Sequence, residues 1–221
     1  MFEQCVAHAE LQYLPADSAT GGFGALPREL YLYNEQLREY TDTYYDTQYL
    51  DLHCSSMLVR TRERAGKLDF LDFKAGGEYV DISPFVYRKF ATEVIASADE
   101  ASDRLTGRTP SSPLRALYRY RVDLLGRILS PSVAVNVRKS TFDVAITSGS
   151  DPVARLSVHH YNYVTRTNLK KDNLIILELQ PPHNAEPDVK SAITVATALD
   201  QAGFRRSPST KYHRISREDL E

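Results

Sequence analysis

The chain has 221 residues, a formal net charge of −2, and 42% hydrophobic and 25% charged residues. That length and composition suit one large globular domain with a full core, read here as a single domain over residues 1–221. A balance so near neutrality excludes a general nucleic-acid binder and confines any anion site to a local concentration of Lys and Arg.

In chain order, 6–14 reads as a strand, stopped by Pro15, and 16–25 as a Gly-containing loop. Pro27 suits the first position of a short helix running to Arg38. The Thr- and Tyr-rich run 41–46 predicts a strand. Residues 57–64 and 67–74 predict a hairpin turning at Ala65-Gly66. Residues 85–95 read as a further strand and the acidic 98–105 as a helix. The run 113–125 reads as helix first and strand after. Strands are expected at 132–146, 154–164 and 173–180. The spacing of Val189, Ile193, Ala196 and Leu199 predicts a helix over 188–202, ended by Gly203. The fold class is therefore α+β and mainly antiparallel, with about eight strands closing into a tunnel barrel flanked by helices.

Strand parity locates the chemistry, because residues i and i+2 share a face. Arg60, Arg62 and Arg64 share one face of LVRTRER. Lys74 lies with Phe70 and Asp72, Arg119 with Arg121, Lys139 with Thr141 and Asp143, and Glu178 with Gln180. Lys211 follows in STKY. One such strand is commonly a solvated face. Several, closed into a barrel, bring their cations into one lumen. Like charges held there call for a polyanion, whose phosphate oxygens match guanidinium forks, with a divalent ion on hard carboxylate oxygen.

These residues carry a resemblance. YYDTQYLDLHCSSMLVRTRERAGKLDFLDFK resembles the signature of the triphosphate tunnel metalloenzyme superfamily, which includes the CYTH domain. The later VRKSTFD, IILELQ and STKY are similar to motifs of its VTC-type polyphosphate polymerase branch. The resemblance spans about Glu10 to Tyr212. It implies an eight-stranded tunnel, Mg2+ or Mn2+, and phosphoryl cleavage or transfer from a triphosphate. By that resemblance Arg60, Arg62, Lys74, Arg121 (or Arg119), Lys139 and Lys211 bind phosphates, as does Arg88 or Lys89. Glu178 binds the metal, with Glu10 beside it; these two acids are the expected catalytic pair. The first strand departs from the family's Glu-x-Glu-x-Lys, reading His8-Ala9-Glu10-Leu11-Gln12. His8 is a candidate metal ligand, an acid or base, or an ordinary strand-end histidine.

The expected function is binding and phosphoryl cleavage or transfer of a nucleoside, thiamine or inorganic triphosphate. The alternatives are polyphosphate synthesis and a module that binds a phosphate-rich or polyphosphate ligand without turnover. No nucleic-acid or membrane partner is expected. No apolar run approaches a membrane span, and MFEQCVAHAE has neither a basic n-region nor an apolar h-region. Cys5 and Cys54 read as free thiols in a reducing, cytoplasmic setting. Adjacent His159 and His160 point to opposite strand faces and make a poor metal pair. Tyr161 and Tyr163 read as packing residues, and Asp46-Thr47 as a turn cap.

Overall fold

A computed structural model describes residues 6–14, 26–75, 78–79, 86–163, 174–180, 189–207 and 210–215. The strands are β1 (Val6–Leu14), β2 (Tyr31–Asp46), β3 (Leu58–Arg64), β4 (Lys67–Lys74), β5 (Glu78–Tyr79), β6 (Val86–Val94), β7 (Ser130–Ala145), β8 (Ala154–Tyr163), β9 (Leu174–Gln180) and β10 (Arg205–Ser207). The helices are α1 (Asp51–Cys54), α2 (Ala98–Leu105), α3 (Ser112–Tyr120) and α4 (Val189–Gln201). The architecture is α+β, built on a mainly antiparallel sheet. Its order is β10-β1-β9-β8-β7-β2-β3-β4-β6-β5, with an additional pairing of β1 to β6. Against the expected eight strands there are ten among the described residues, because the short β5 and β10 extend the sheet at its two ends. The loop expected over 16–25 lies outside the described residues.

Two expectations are corrected. In place of the helix from Pro27 to Arg38 there is a turn to Leu30 and then the first half of β2, which pairs with β7 from Tyr31↔Ala145 to Asp46↔Ser130. Glu35, Gln36, Leu37 and Arg38 are good helix formers, but a ladder of this length outweighs a local preference of a few tenths of a kcal/mol per residue. An irregularity between Tyr33 and Gln36 accommodates Asn34 at φ 54°, where Asn is tolerated. The strand expected after α3 is a 3-10 turn over Val122–Leu124.

The β3–β4 hairpin turns where expected, with Ala65 at φ 48° and Gly66 at φ 76°. Two consecutive positive φ values are the backbone of a type I′ turn. Helix α2 starts at Ser97, whose hydroxyl accepts the Glu100 N–H at 3.1 Å, and the Glu100 carboxylate accepts the Ala96 N–H at 2.9 Å. Both bonds satisfy donors near the start of the helix. Asp46 does the same for α1: it accepts the N–H groups of Thr47, Leu52 and His53 and the Tyr212 hydroxyl. The expected cap at Asp46 is therefore present.

The helices decide which sheet face carries the chemistry. Ala192, Val195, Ala196 and Leu199 of α4 are buried with Tyr13, Phe142, Val144, Leu156 and Val158. Leu114 and Leu117 of α3 join the cluster that holds Leu71 and Phe73, and the Phe73 ring stacks on Tyr120 at 6.0 Å. Those side chains take one face of β1, β4, β7 and β8. By alternation Gln12, Asp72, Lys74, Lys139, Thr141, Ser157 and His159 stand on the other.

Candidate phosphate site

The face opposite the helices carries two ionic groups. The first is built on β2, β3 and β4, whose register sets Arg60 across from Tyr44 and Asp72, and Arg62 across from Asp42 and Phe70. Arg60 donates Nη1 to Asp42 Oδ2 at 2.7 Å, and Nε and Nη2 to Asp72 Oδ2 at 3.0 and 2.8 Å. Arg62 grips Asp42 with both arms of its fork, Nε to Oδ1 at 2.7 Å and Nη2 to Oδ2 at 2.8 Å. Its guanidinium lies 3.5 Å from the centre of the Tyr40 ring, a cation–π contact. The Thr92 hydroxyl donates to Asp72 Oδ1 at 2.7 Å. Burial alone would raise the Asp42 carboxyl; Arg60 and Arg62 overcome it and hold the group below its ordinary range.

The second group centres on Glu178 of β9, which pairs with Gln12 on one side and Ser157 on the other. Lys211 Nζ is 2.6 Å from Glu178 Oε1, and the Gln12 amide donates to the same oxygen at 3.3 Å. His159 Nε2 is 3.0 Å and Lys139 Nζ 3.9 Å from Oε2. His159 Nδ1 lies 3.3 Å from both Lys211 Nζ and the Tyr161 hydroxyl. This geometry suits a neutral ring with its proton on Nε2, since Nδ1 then accepts. Burial and Lys211 hold His159 well below its ordinary value, against the pull of Glu178. Glu178 would be raised by burial, but Lys211, His159 and Lys139 hold it well below the usual carboxylate range. Lys139 is lowered by burial and by Arg62, Lys74 and Arg155, against Glu178. Lys211 in turn acts on Asp42, so the two groups share one field.

The structure thus brings Arg60, Arg62, Lys139, Glu178 and Lys211 together, with Lys74 within electrostatic reach. It does not bring Arg119 and Arg121 to them. Arg119 is exposed on α3 and Arg121 is that helix's C-cap, not a strand residue. Arg121 binds Asp123 at 2.7 Å and donates to the Asp51 carbonyl and the Ser55 hydroxyl. His8, Glu10, Arg88 and Lys89 are placed by backbone alone, in the pairing of β1 with β6 that sets His8 opposite Arg88; their side chains lie outside the described residues. His160, as expected, does not join His159: it sits across from Arg138, which with burial lowers its imidazole.

The parity reading placed Asp72 but missed Asp42, the acid both arginines share. Asp42 shares a face with Tyr40 and Tyr44 in YTDTYYD, and the same i, i+2 test applied to β2 finds it. Arg155, two residues before Ser157 and four before His159, was legible by the same rule.

The described residues at Glu178 do not by themselves fit the expected Mg2+ or Mn2+; the side chain of Glu10, the other expected ligand, lies outside them. Such an ion takes several oxygen ligands. Among the described residues no cluster of three or more His, Cys, Asp and Glu side chains is placed to hold a metal. Asp42 and Asp72 are committed to guanidinium groups, and both Glu178 oxygens face cations or N–H donors.

No family model and no curated protein sequence matches the chain. Solved structures do. A proposed adenylate cyclase of Bacillus halodurans superposes with a TM-score of 0.55 at 14% identity, over 94% of this chain and 96% of that one. A proposed adenylyl cyclase of Hippeastrum, with a dominant triphosphatase activity, superposes with a TM-score of 0.52 at 13% identity, over 93% of each chain. The chain shares its fold with these two proteins. At these identities the likeness speaks for the fold alone, and the fold agrees with the superfamily that the sequence motifs resemble. No helix among the described residues is long and apolar enough to cross a membrane.

Proposed function

We propose that the chain binds the triphosphate group of a nucleoside, thiamine or inorganic triphosphate inside a tunnel and promotes cleavage or transfer of its phosphoryl groups. The observation that carries this reading is the convergence of Arg60, Arg62, Lys139 and Lys211, from two strands and the segment after β10, on one buried field. Their carboxylate partners there are Asp42, Asp72 and Glu178. Lys74 and Arg155 also act on Lys139, adding to the positive field there. Such a concentration of like charge is costly and favours an anionic ligand. The pairing of β1 with both β9 and β6 supports closure of the sheet into a tunnel, because the ladder then returns to its starting strand. The triphosphatase activity of the Hippeastrum protein supports the choice of reaction class.

Phosphoryl transfer is mainly positioning and charge neutralisation, which arginine forks and lysines can supply. A second reading, a module that holds a phosphate chain without turnover, is favoured by one observation: Glu178, the expected catalytic acid, is bonded by Lys211 and Gln12 at Oε1 and faced by His159 at Oε2. Phosphate release measured across nucleoside triphosphates, thiamine triphosphate, tripolyphosphate and long-chain polyphosphate separates the two, alongside calorimetric binding of tripolyphosphate. Release from any of them supports the enzyme. Binding without release supports the module, and no binding refutes both.

A further inference from the structure

We infer that Glu178 is the fixed counter-anion that positions Lys211 and Lys139, not a metal ligand, and that the site takes its phosphate chain without a divalent ion bridged to Glu178. The phosphate half of this inference rests on the proposed function; the role of Glu178 does not.

A carboxylate offers about four lone-pair sites, two on each oxygen. At Glu178, Oε1 meets Lys211 Nζ at 2.6 Å and the Gln12 amide at 3.3 Å, while Oε2 meets His159 Nε2 at 3.0 Å and Lys139 Nζ at 3.9 Å. Oε1 thus takes two close donors, while Oε2 is flanked by the His159 ring and, beyond hydrogen-bond reach, by the Lys139 ammonium; each neighbour is a cation or an N–H group. A Mg2+ ion sits about 2.1 Å from its oxygen ligands and demands near-octahedral geometry. Placed on either oxygen, it would lie against an ammonium in a site where the Glu178 side chain is only 3% exposed and water does little to screen the repulsion.

The first-strand sequence fits this arrangement. Gln12 stands where the resembled family carries Lys, and its neutral amide donates to Glu178. The positive charge at Glu178 comes instead from Lys211 and Lys139. A phosphate chain entering the site can exchange with Glu178 for these lysines, as it can with Asp42 for Arg62.

The test measures Mn2+ binding by the paramagnetic signal of the free ion, and tripolyphosphate binding by calorimetry in EDTA, on the full chain. The wild-type chain should bind tripolyphosphate in EDTA about as tightly as with Mg2+. Glu178→Gln should leave Mn2+ binding unchanged and should tighten tripolyphosphate binding by about tenfold, the scale of one charge-assisted contact released to the ligand. Lys211→Met should unmask one Glu178 oxygen, creating Mn2+ affinity absent from wild type, and should weaken tripolyphosphate binding in EDTA. It also decides the matter if Glu178→Gln does not fold. Mn2+ binding by wild type that Glu178→Gln abolishes, or that Lys211→Met leaves as strong as before, overturns the inference. Failure of wild type to bind tripolyphosphate in either condition, with Mn2+ results as expected, sinks the triphosphate reading and leaves the assignment of Glu178 standing.

Discussion

Asp42→Asn should destabilise the free protein and strengthen its response to a polyanion. Asp42 is buried and accepts three bonds, one from Arg60 at 2.7 Å and two from Arg62 at 2.7 and 2.8 Å. An asparagine keeps the shape but loses the charge, and its amide turns a donor toward a guanidinium. Removing one partner of a buried pair costs about 3–5 kcal/mol, because the opposite charge stays behind. Arg60 retains Asp72, which places the cost near the lower end of that range. For a domain of this size about 3 kcal/mol lowers the melting temperature by roughly 6–12 °C. The ligand response should run the other way. Arg62 no longer has a competing carboxylate, so tripolyphosphate should raise the melting temperature of Asp42→Asn by more than it raises that of wild type. Differential scanning with and without tripolyphosphate reads both effects. An unchanged melting temperature would show that the pairs contribute nothing net. A smaller ligand shift than in wild type would show that Asp42 organises Arg62 for the ligand instead of competing for it.

Arg62→Ala should reduce the tripolyphosphate-induced shift by about 1.5–3 kcal/mol of binding and should also lower apo stability, since it strips two bonds from buried Asp42; a rise in apo melting temperature would contradict the ion-paired interior. Tyr212→Phe removes the hydroxyl bonded to Asp46 at 3.0 Å and Ser132 at 2.9 Å while keeping the stack on Tyr44, and should cost about 1–2 kcal/mol in urea denaturation. Ala65→Asn should stabilise the chain by up to about 1 kcal/mol in the same assay, because Asn adopts the positive φ of 48° more readily and completes an Asn-Gly turn. Below pH 3.8 the unfolded chain protonates Asp42 before the folded one does, so the stability this carboxylate confers is full above that pH and is lost as pH falls through its lower folded value; Asp42→Asn should show a shallower acid limb.

Elements whose signal was local were legible, and those fixed by distant partners were not. The hairpin at Ala65-Gly66 and helix α2 announce themselves within a few residues, through turn chemistry and a Ser97–Glu100 cap. The first half of β2 does not. Its helix-forming residues sit in a strand because β7, about a hundred residues later, pairs with them. In YRYR the spacing of Arg119 and Arg121 mimics a strand face. The competing signal was the helical spacing of Leu114 and Leu117, both buried under α3. Strands β5 and β10, of two and three residues, are too short to carry a periodicity.

For the site, parity found the cations, Asp72 and Glu178 but neither Asp42 nor the pairing of these acids with the cations, and that difference changes the physics. A lumen lined only by cations would need a ligand to be stable at all. The interior found here has answered most of its own repulsion: Arg60 and Arg62 with Asp42 and Asp72, Lys139 and Lys211 with Glu178. A phosphate chain must therefore exchange with carboxylates already in place, and its affinity is a difference between two sets of charge-assisted bonds. Such an exchange discriminates by charge density. A singly charged carboxylate ligand gains nothing over Asp42 or Glu178, whereas a triphosphate brings several charges on one flexible chain and can answer Arg62, Lys139 and Lys211 together. The acids that mask the cations thus set the threshold of charge a ligand must carry to enter.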